Sequence, residues 1–371
     1  MITYHKIIVH LTKIFSHKTN DNFFPMHSFS DIIQNFKQKK IKIEQDKPLA
    51  PYTTMGIGGN AKYLVSAFTK DQLHTIISIS KANDLPYIII GKGSNLIISD
   101  KGFSGLAIIN ELKQWEILSN GDFPDKSVTP KHLIARVDSS IINNPKLKYR
   151  DTEEKDVFIR VESGARLQSL IKSLLNRQIT GLQWFAGIPA SIGGAIYMNM
   201  HGGPEYISNF VMKASLTDGA QIRDVTQDYF QFDYDYSILH QTKEIVLSVD
   251  LNLKYGDVSQ VRKFIRDWAS LKSGQPMHSA GCVFKNLSPE QQRQLNLTTP
   301  STGYIIDKIL NLKGYRRGGA QISKFNAAFI ENLQNARSAD VYYLIQLIKD
   351  EALKKLNLNL ETEVQLVGDF G

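Results

Sequence analysis

The single cysteine of this chain stands in the segment AGCVFKN, residues 280–286, with an ammonium, Lys285, and an amide, Asn286, close behind it. A thiol beside such groups can hand a proton to a substrate that the cation and the amide hold, which is general-acid chemistry at an anion site. The competing reading of Cys282 is a small buried hydrophobe, the commoner fate of a free cysteine. Glu363 raises a parallel question in the alternating run TEVQLVG. Most glutamates in such a strand face solvent, and a few serve a site.

Two glycine-rich loops could complete a reaction centre. GKGSN, residues 91–95, sits between the apolar runs YIII and LIIS. Gly91 and Gly93 let the backbone turn, and with Lys92, Ser94 and Asn95 they form a nest of N–H groups and short donors that suits a pyrophosphate. Glycine turns between strands are, however, more often only turns. GIPASIGGAIYMN, residues 187–199, places a proline and three glycines in a stretch otherwise apolar enough to be buried. Glycines there let something flat or bulky approach the backbone; a tightly packed helix start is the bland alternative. Neither loop has G-x-G-x-x-G or P-loop spacing, which disfavours a Rossmann nicotinamide site and an ATPase site.

Positioning these groups takes a mixed fold. Residues 1–45 read as a helical, lysine-rich extension, and 48–67 as turn, tight loop and strand. KDQLHTIISISKANDLP, residues 70–86, has helical spacing and stops at a proline. Residues 87–110 alternate strand and turn, and 119–155 form a polar, proline-bearing surface insertion. A strand and helix follow from 157, then strands over 211–255, a helix at 258–272, the Cys282 strand, a helix at 339–355 and a last strand at 361–368. The order predicts an α+β fold without internal repeats.

Composition narrows the field less. Hydrophobic residues at 42% and charged residues at 22% argue against both wholesale disorder and a membrane protein. The net charge of +8 comes from cations scattered among 36 acids, which suits an anionic small molecule at least as well as a nucleic-acid groove. One cysteine excludes an internal disulfide and the usual clustered-thiolate zinc site, so no metal is expected.

In chain order, APYTTMGIGGNA, GKGSNLIIS, GIPASIGGAIYMN, AGCVFKN, LKGYRRGGAQIS and ETEVQLVG resemble the UDP-N-acetylenolpyruvoylglucosamine reductase family, in its type without an extra tyrosine loop. The resemblance spans roughly residues 46–369. It implies an FAD-binding fold of the vanillyl-alcohol-oxidase (PCMH) type over 46–256 in two subdomains, a smaller α+β substrate domain over 257–358, and a segment 359–371 whose strand returns to the flavin domain. The implied reaction reduces the enolpyruvyl ether of UDP-N-acetylglucosamine to UDP-N-acetylmuramate, a peptidoglycan precursor step. Non-covalent FAD and the reductant NADPH are the implied cofactors, and the UDP-sugar is the partner. The implied setting is a cytoplasmic monomer with no nucleic-acid or membrane partner.

The resemblance also carries roles. Gly58, Gly59, the 91–95 loop, and Gly187, Ile188, Pro189, Ser191, Ile192, Gly193 and Gly194 fall on flavin-binding positions. Cys282 falls on the serine or cysteine that protonates the substrate, and Glu363 on the glutamate that stabilises the enol. Tyr234 and Asn286 fall on substrate-binding positions, Lys285 beside Cys282 is a further candidate to hold an anionic substrate, and Arg316, or its neighbour Arg317, is a candidate replacement for the cation missing at position 235. Three departures stand out. Asp235 occupies the slot of the family's catalytic arginine, an anion beside developing negative charge. MNMHGGPE, residues 198–205, is shorter than the family's loop near the flavin, and Ser270 and Leu271 replace a common arginine pair. An FAD-binding paralogue with another substrate, or with lost activity, is the alternative these departures raise.

Overall fold

The computed structural model describes residues 29–118, 143–147 and 155–371. The expected insertion at 119–155 lies mostly outside the described residues, as does the extension before residue 29.

The first sheet runs in the order Ile43–Pro48, Asn60–Ala67, Phe103–Asn110, Tyr87–Ile90. Its first contact is antiparallel and the other two are parallel. Apolar continuity in the central strands, with Leu64, Val65, Ala107 and Ile108 all buried, reflects cover on both faces. The helix Lys70–Ala82 starts where the Thr69 side chain accepts the N–H of Gln72, and it buries Leu73, Ile76 and Ile77. It ends before Pro86, where Asp84 adopts a left-handed φ of 48°. The helix Phe29–Gln38 buries Ile32 and Phe36 in the same core as Leu73. The chain from Phe29 onward is therefore part of this layer, and the expected extension is structural in its last third. The strand that follows was hard to see because IEQDKP is an edge strand with four exposed residues.

The second sheet is antiparallel in the order Ile222–Thr226, Val211–Thr217, Ile245–Tyr255, Asp156–Glu162, Trp115–Ile117. The helices Leu167–Leu175 and Ile192–Tyr197 pack their apolar faces into its core. The helix Val258–Leu271 is capped by Asp257 and buries Val261, Phe264 and Trp268. Trp184 meets Phe264 and Trp268 edge to face at 4.7 and 5.3 Å, and Trp268 Nε1 donates to the Trp184 carbonyl at 3.0 Å. The sequence-based boundary at 257 put this helix in the substrate lobe; its buried face lies against the second lobe instead.

The third sheet orders Ser279–Cys282, Phe329–Asn332, Ala320–Ile322, Arg316–Arg317 and is backed by the helix Ser338–Leu356. Asp100, from the first lobe, accepts the N–H groups of Ser338 and Ala339 at 2.9 and 3.1 Å, capping that helix across the lobe boundary. The last strand, Gln365–Val367, runs parallel to Leu96–Ile98, which brings the C-terminal segment next to the 91–95 loop.

Candidate active site

Four chain segments converge on the 91–95 loop. The Gln365 N–H donates to the Asn95 carbonyl at 2.9 Å, and Asn95 Nδ2 donates to the Glu363 carbonyl at 3.2 Å. The Thr54 N–H donates to the Gly93 carbonyl at 3.2 Å, while Thr54 Oγ1 donates to the Ser279 carbonyl at 2.6 Å. Thr54 thus ties the glycine loop to the strand that carries Cys282. Between them Gly281, at φ +81°, has Ser94 O as its nearest neighbour, 4.0 Å from where a Cβ would stand. The second glycine loop arrives from the other side. A Cβ on Gly91 would lie 2.0 Å from Ser191 Oγ, so the two loops touch only because residue 91 has no side chain.

The two loops use their amides differently. Among the described residues, the N–H groups of Lys92, Gly93, Ser94 and Asn95 find no protein acceptor. They form the kind of concavity that receives phosphate oxygens. In the other loop the amides are engaged: Gly187 with Gln168 Oε1 at 2.9 Å, Ile192 with Ala165 O at 3.0 Å, Gly193 with Ser163 O and Gly194 with Ser191 Oγ at 3.3 Å. That loop is a wall. Gly187, at φ +84°, would point a Cβ into open space. Gly58 and Gly59 pack against Ile98 and the Asp100 carbonyl, behind the loop.

Cys282 and Glu363 sit on neighbouring extended segments. The Glu363 N–H donates to Val283 O at 2.9 Å, and the Lys285 N–H to Glu361 O at 3.0 Å. A turn docks onto this pair. Asp233 and Tyr236 exchange hydrogen bonds at 3.2 and 3.3 Å, with Asp235 third in the turn at φ 48°, a conformation that aspartate tolerates. Tyr234 Oη accepts the Asn286 N–H at 3.2 Å, and the side-chain carbonyl of Asn286 accepts the Thr302 N–H at 3.2 Å. Asp235 is only 3% exposed. His201 stacks on Tyr234 with ring centroids 5.9 Å apart.

Burial then sets the protonation states. It pushes the Cys282 thiol well above its ordinary range, helped by the charges of Glu363 and Asp235 and opposed by the Lys272 ammonium. Burial, then Asp235, holds the Glu363 carboxyl well above the usual carboxylate range, against the pull of Lys285. Tyr234 rises for the same reasons, with burial first and Asp235 next. Lys272 moves the other way, down to about 8, because burial disfavours its ammonium. His201 falls to about 4, by burial and then by repulsion from Lys272. At neutral pH the site therefore holds a protonated thiol and a neutral imidazole, with the Glu363 carboxyl shifted toward its neutral form.

Cys282, Glu363, Asp235, Tyr234, Lys285, Asn286 and the loop at 91–95 are thus brought together. Arg316 is not. Its strand lies at the far edge of the third sheet, three strand spacings, or about 14 Å, from that of Cys282, and its Nε donates to Gly318 O at 2.9 Å. The sequence reading missed Lys272, which lies over the Trp268 ring at 4.0 Å and acts on both Cys282 and His201. It follows directly after the Ser270–Leu271 departure, which was the available signal. His201 lies inside the altered 198–205 loop.

Comparison with known proteins agrees with this arrangement. Residues 274–367 match the family model described as UDP-N-acetylenolpyruvoylglucosamine reductase, C-terminal domain, and 126–220 match an FAD binding domain. A UDP-N-acetylenolpyruvoylglucosamine reductase of Alkaliphilus oremlandii is 34% identical over 331 residues, covering 87% of this chain and 93% of that protein. The Bacillus subtilis protein of that name is 30% identical, covering 91% and 98%. The crystal structure of the Thermus caldophilus reductase superposes with a TM-score of 0.62 at 26% identity, covering 88% of this chain and 99% of that one. The fold is the FAD-binding type expected from the sequence. Among the described residues no helix is long and apolar enough to cross a membrane. With a relative this similar aligned along nearly its whole length, the chain belongs to the UDP-N-acetylenolpyruvoylglucosamine reductase family.

Proposed function

We propose that this chain reduces UDP-N-acetylglucosamine enolpyruvate to UDP-N-acetylmuramate, using non-covalent FAD and NADPH. The observation that carries the reading is the meeting of the Cys282 thiol and the Glu363 carboxyl on paired segments, both shifted by burial toward their protonated forms, beside a loop whose amides at 92–95 have no protein acceptor among the described residues. Those amides fit the pyrophosphate of FAD, and the 187–194 loop fits the surface of its ring system. Bound FAD supplies the hydride that adds to the vinyl carbon of the substrate.

The chain supplies the rest. Hydride addition to the vinyl carbon builds enolate character on the carboxylate side, and the Glu363 carboxyl, which burial biases toward its neutral form, donates a hydrogen bond to that growing charge. The Cys282 thiol gives its proton to the adjacent carbon, and the resulting thiolate recovers one from solvent. Its raised pKa makes that thiolate short-lived, and Lys272 steadies it meanwhile. Tyr234 and Asn286 orient the substrate, and Lys285 favours its anionic groups. The proposed protein is a monomer with no nucleic-acid partner, and a free cysteine suits the reducing cytoplasm. The position of the domain break is also proposed: it falls after the helix Val258–Leu271.

The test is NADPH oxidation by the FAD-loaded protein. It should depend on the UDP-sugar and consume the two in equal amounts. No oxidation at saturating sugar rejects the reading.

A further inference from the structure

Thr54 touches two of the segments that meet at the site, and it holds them with different atoms. Its N–H donates to the Gly93 carbonyl at 3.2 Å, and its hydroxyl donates to the Ser279 carbonyl at 2.6 Å. The same hydroxyl is 3.5 Å from Gly93 O, at the limit of a hydrogen bond. The loop side of this junction is closely packed: a Cβ on Gly93, at φ +63°, would run into the Tyr52 carbonyl oxygen and lie 2.8 Å from Thr53 Cα. The backbone of Thr54 is thus fixed against the loop, and its hydroxyl is left to hold the strand of Cys282.

That strand is irregular. Ser279–Cys282 is an edge strand of the third sheet, and Ser279 and Cys282 stand opposite Glu331 and Phe329. Three steps along one strand against two along its neighbour leave one extra residue at Ala280–Gly281, a β-bulge, with Gly281 at φ +81°. Glu331 and Phe329 share a face, so the bulge puts Cys282 on the face of Ser279; a regular strand would turn it to the opposite one. An edge strand has no second neighbour to hold such a register. Partners from outside the sheet do so instead: Thr54 Oγ1 bonds the carbonyl of Ser279, and the Glu363 N–H bonds that of Val283 at 2.9 Å. The bulge lies between these two clamps. We propose that Thr54 is a positioning residue for the proton donor: its hydroxyl pins the first end of the bulge and so keeps Cys282 turned toward the substrate, in register with the 91–95 loop.

The inference rests on the functional reading of Cys282, and two measurements separate their failures. Thr54→Val keeps the backbone bond to Gly93 and removes the clamp on Ser279. With FAD bound, NADPH should bleach the flavin of this variant at the wild-type rate, and FAD affinity should be unchanged. On mixing with the UDP-sugar, the colour should return roughly 10- to 100-fold more slowly, the scale of a misplaced catalytic group. Thr54→Ser restores the hydroxyl and should restore most of that rate. A valine variant that recovers its colour at the wild-type rate overturns the proposal, and so does a serine variant as slow as the valine one. A valine variant slow in both half-reactions also overturns it, since general loosening would give that result. If valine unfolds the protein, Thr54→Ala removes the same hydroxyl and is read in the same way. The second measurement needs no turnover. Cys282 is the only cysteine of the chain, so a thiol-reactive dye added to the folded FAD-loaded protein reports that side chain alone. Releasing the clamp should raise its labelling rate about fivefold or more in Thr54→Val, and leave it near the wild-type value in Thr54→Ser. Equal rates in the wild type and the valine variant overturn the proposal. A wild type that never oxidises NADPH against the sugar overturns the functional reading, while the labelling rate still decides the clamp.

Discussion

Replacing Gly91 by alanine tests the contact between the two glycine loops. Residue 91 is not in the left-handed region, so alanine suits its backbone and space alone opposes the change. The new Cβ would stand 2.0 Å from Ser191 Oγ and 2.9 Å from Ser191 Cβ. The hydroxyl could swing aside only by giving up the Gly194 N–H that it caps at 3.3 Å, a loss of about 1 kcal/mol. The Cβ contact would still remain. Overpacking of this kind costs about 1–3 kcal/mol. If the loops are the walls of the FAD site, that cost appears as FAD affinity weakened roughly 5- to 150-fold. Titrating the apoprotein with FAD, followed by flavin fluorescence, measures it. Ser191→Gly removes both offending atoms, and glycine at a helix N-cap costs only a few tenths of a kcal/mol. The double variant should therefore recover most of the lost affinity. Wild-type FAD binding by Gly91→Ala, or no relief in the double variant, would refute the reasoning.

Two other perturbations act through charge. Lys272, with its pKa lowered to about 8, is charged below that pH and neutral above it, so KM for the anionic sugar should rise as pH passes through 8. Lys272→Met should raise KM at pH 7 and flatten that rise; an unchanged pH dependence of KM rules the lysine out. His201 titrates near 4 in the fold against about 6.5 when unfolded. Between those values the unfolded chain binds more protons, so this group costs stability as pH falls through the window, up to about 3 kcal/mol in full. Urea unfolding of His201→Gln should be less acid-sensitive between pH 6.5 and 4, and an identical acid dependence would contradict the burial of that imidazole.

Much of the site could be read in the sequence because its parts are local. The runs YIII and LIIS announce strands by continuous apolarity, and the glycines between them announce a loop. Glu363 and Cys282 carry their neighbourhoods in short motifs. What escaped depends on long-range docking. The apolar stripe of the helix Val258–Leu271 says that one face is buried but not against which lobe. Lys272, just past that helix, reads as a solvated end, and it is partly buried with its ammonium over the Trp268 ring. Arg316 reads from the sequence as a candidate substrate-binding cation, yet strand order puts it at the opposite edge of the sheet from Cys282. The edge strand Ile43–Pro48 is polar because a single neighbour covers it.

The role of Cys282 is tested most directly by separating the two half-reactions in Cys282→Ala and Cys282→Ser. With FAD bound, NADPH should bleach the flavin absorbance in both variants as fast as in the wild type, since the thiol takes no part in that step. On mixing with UDP-N-acetylglucosamine enolpyruvate, the colour should return about 10²- to 10⁴-fold more slowly in the alanine variant, and the serine variant should retain substantial activity. Recovery of the colour at the wild-type rate in Cys282→Ala would contradict proton delivery by this thiol.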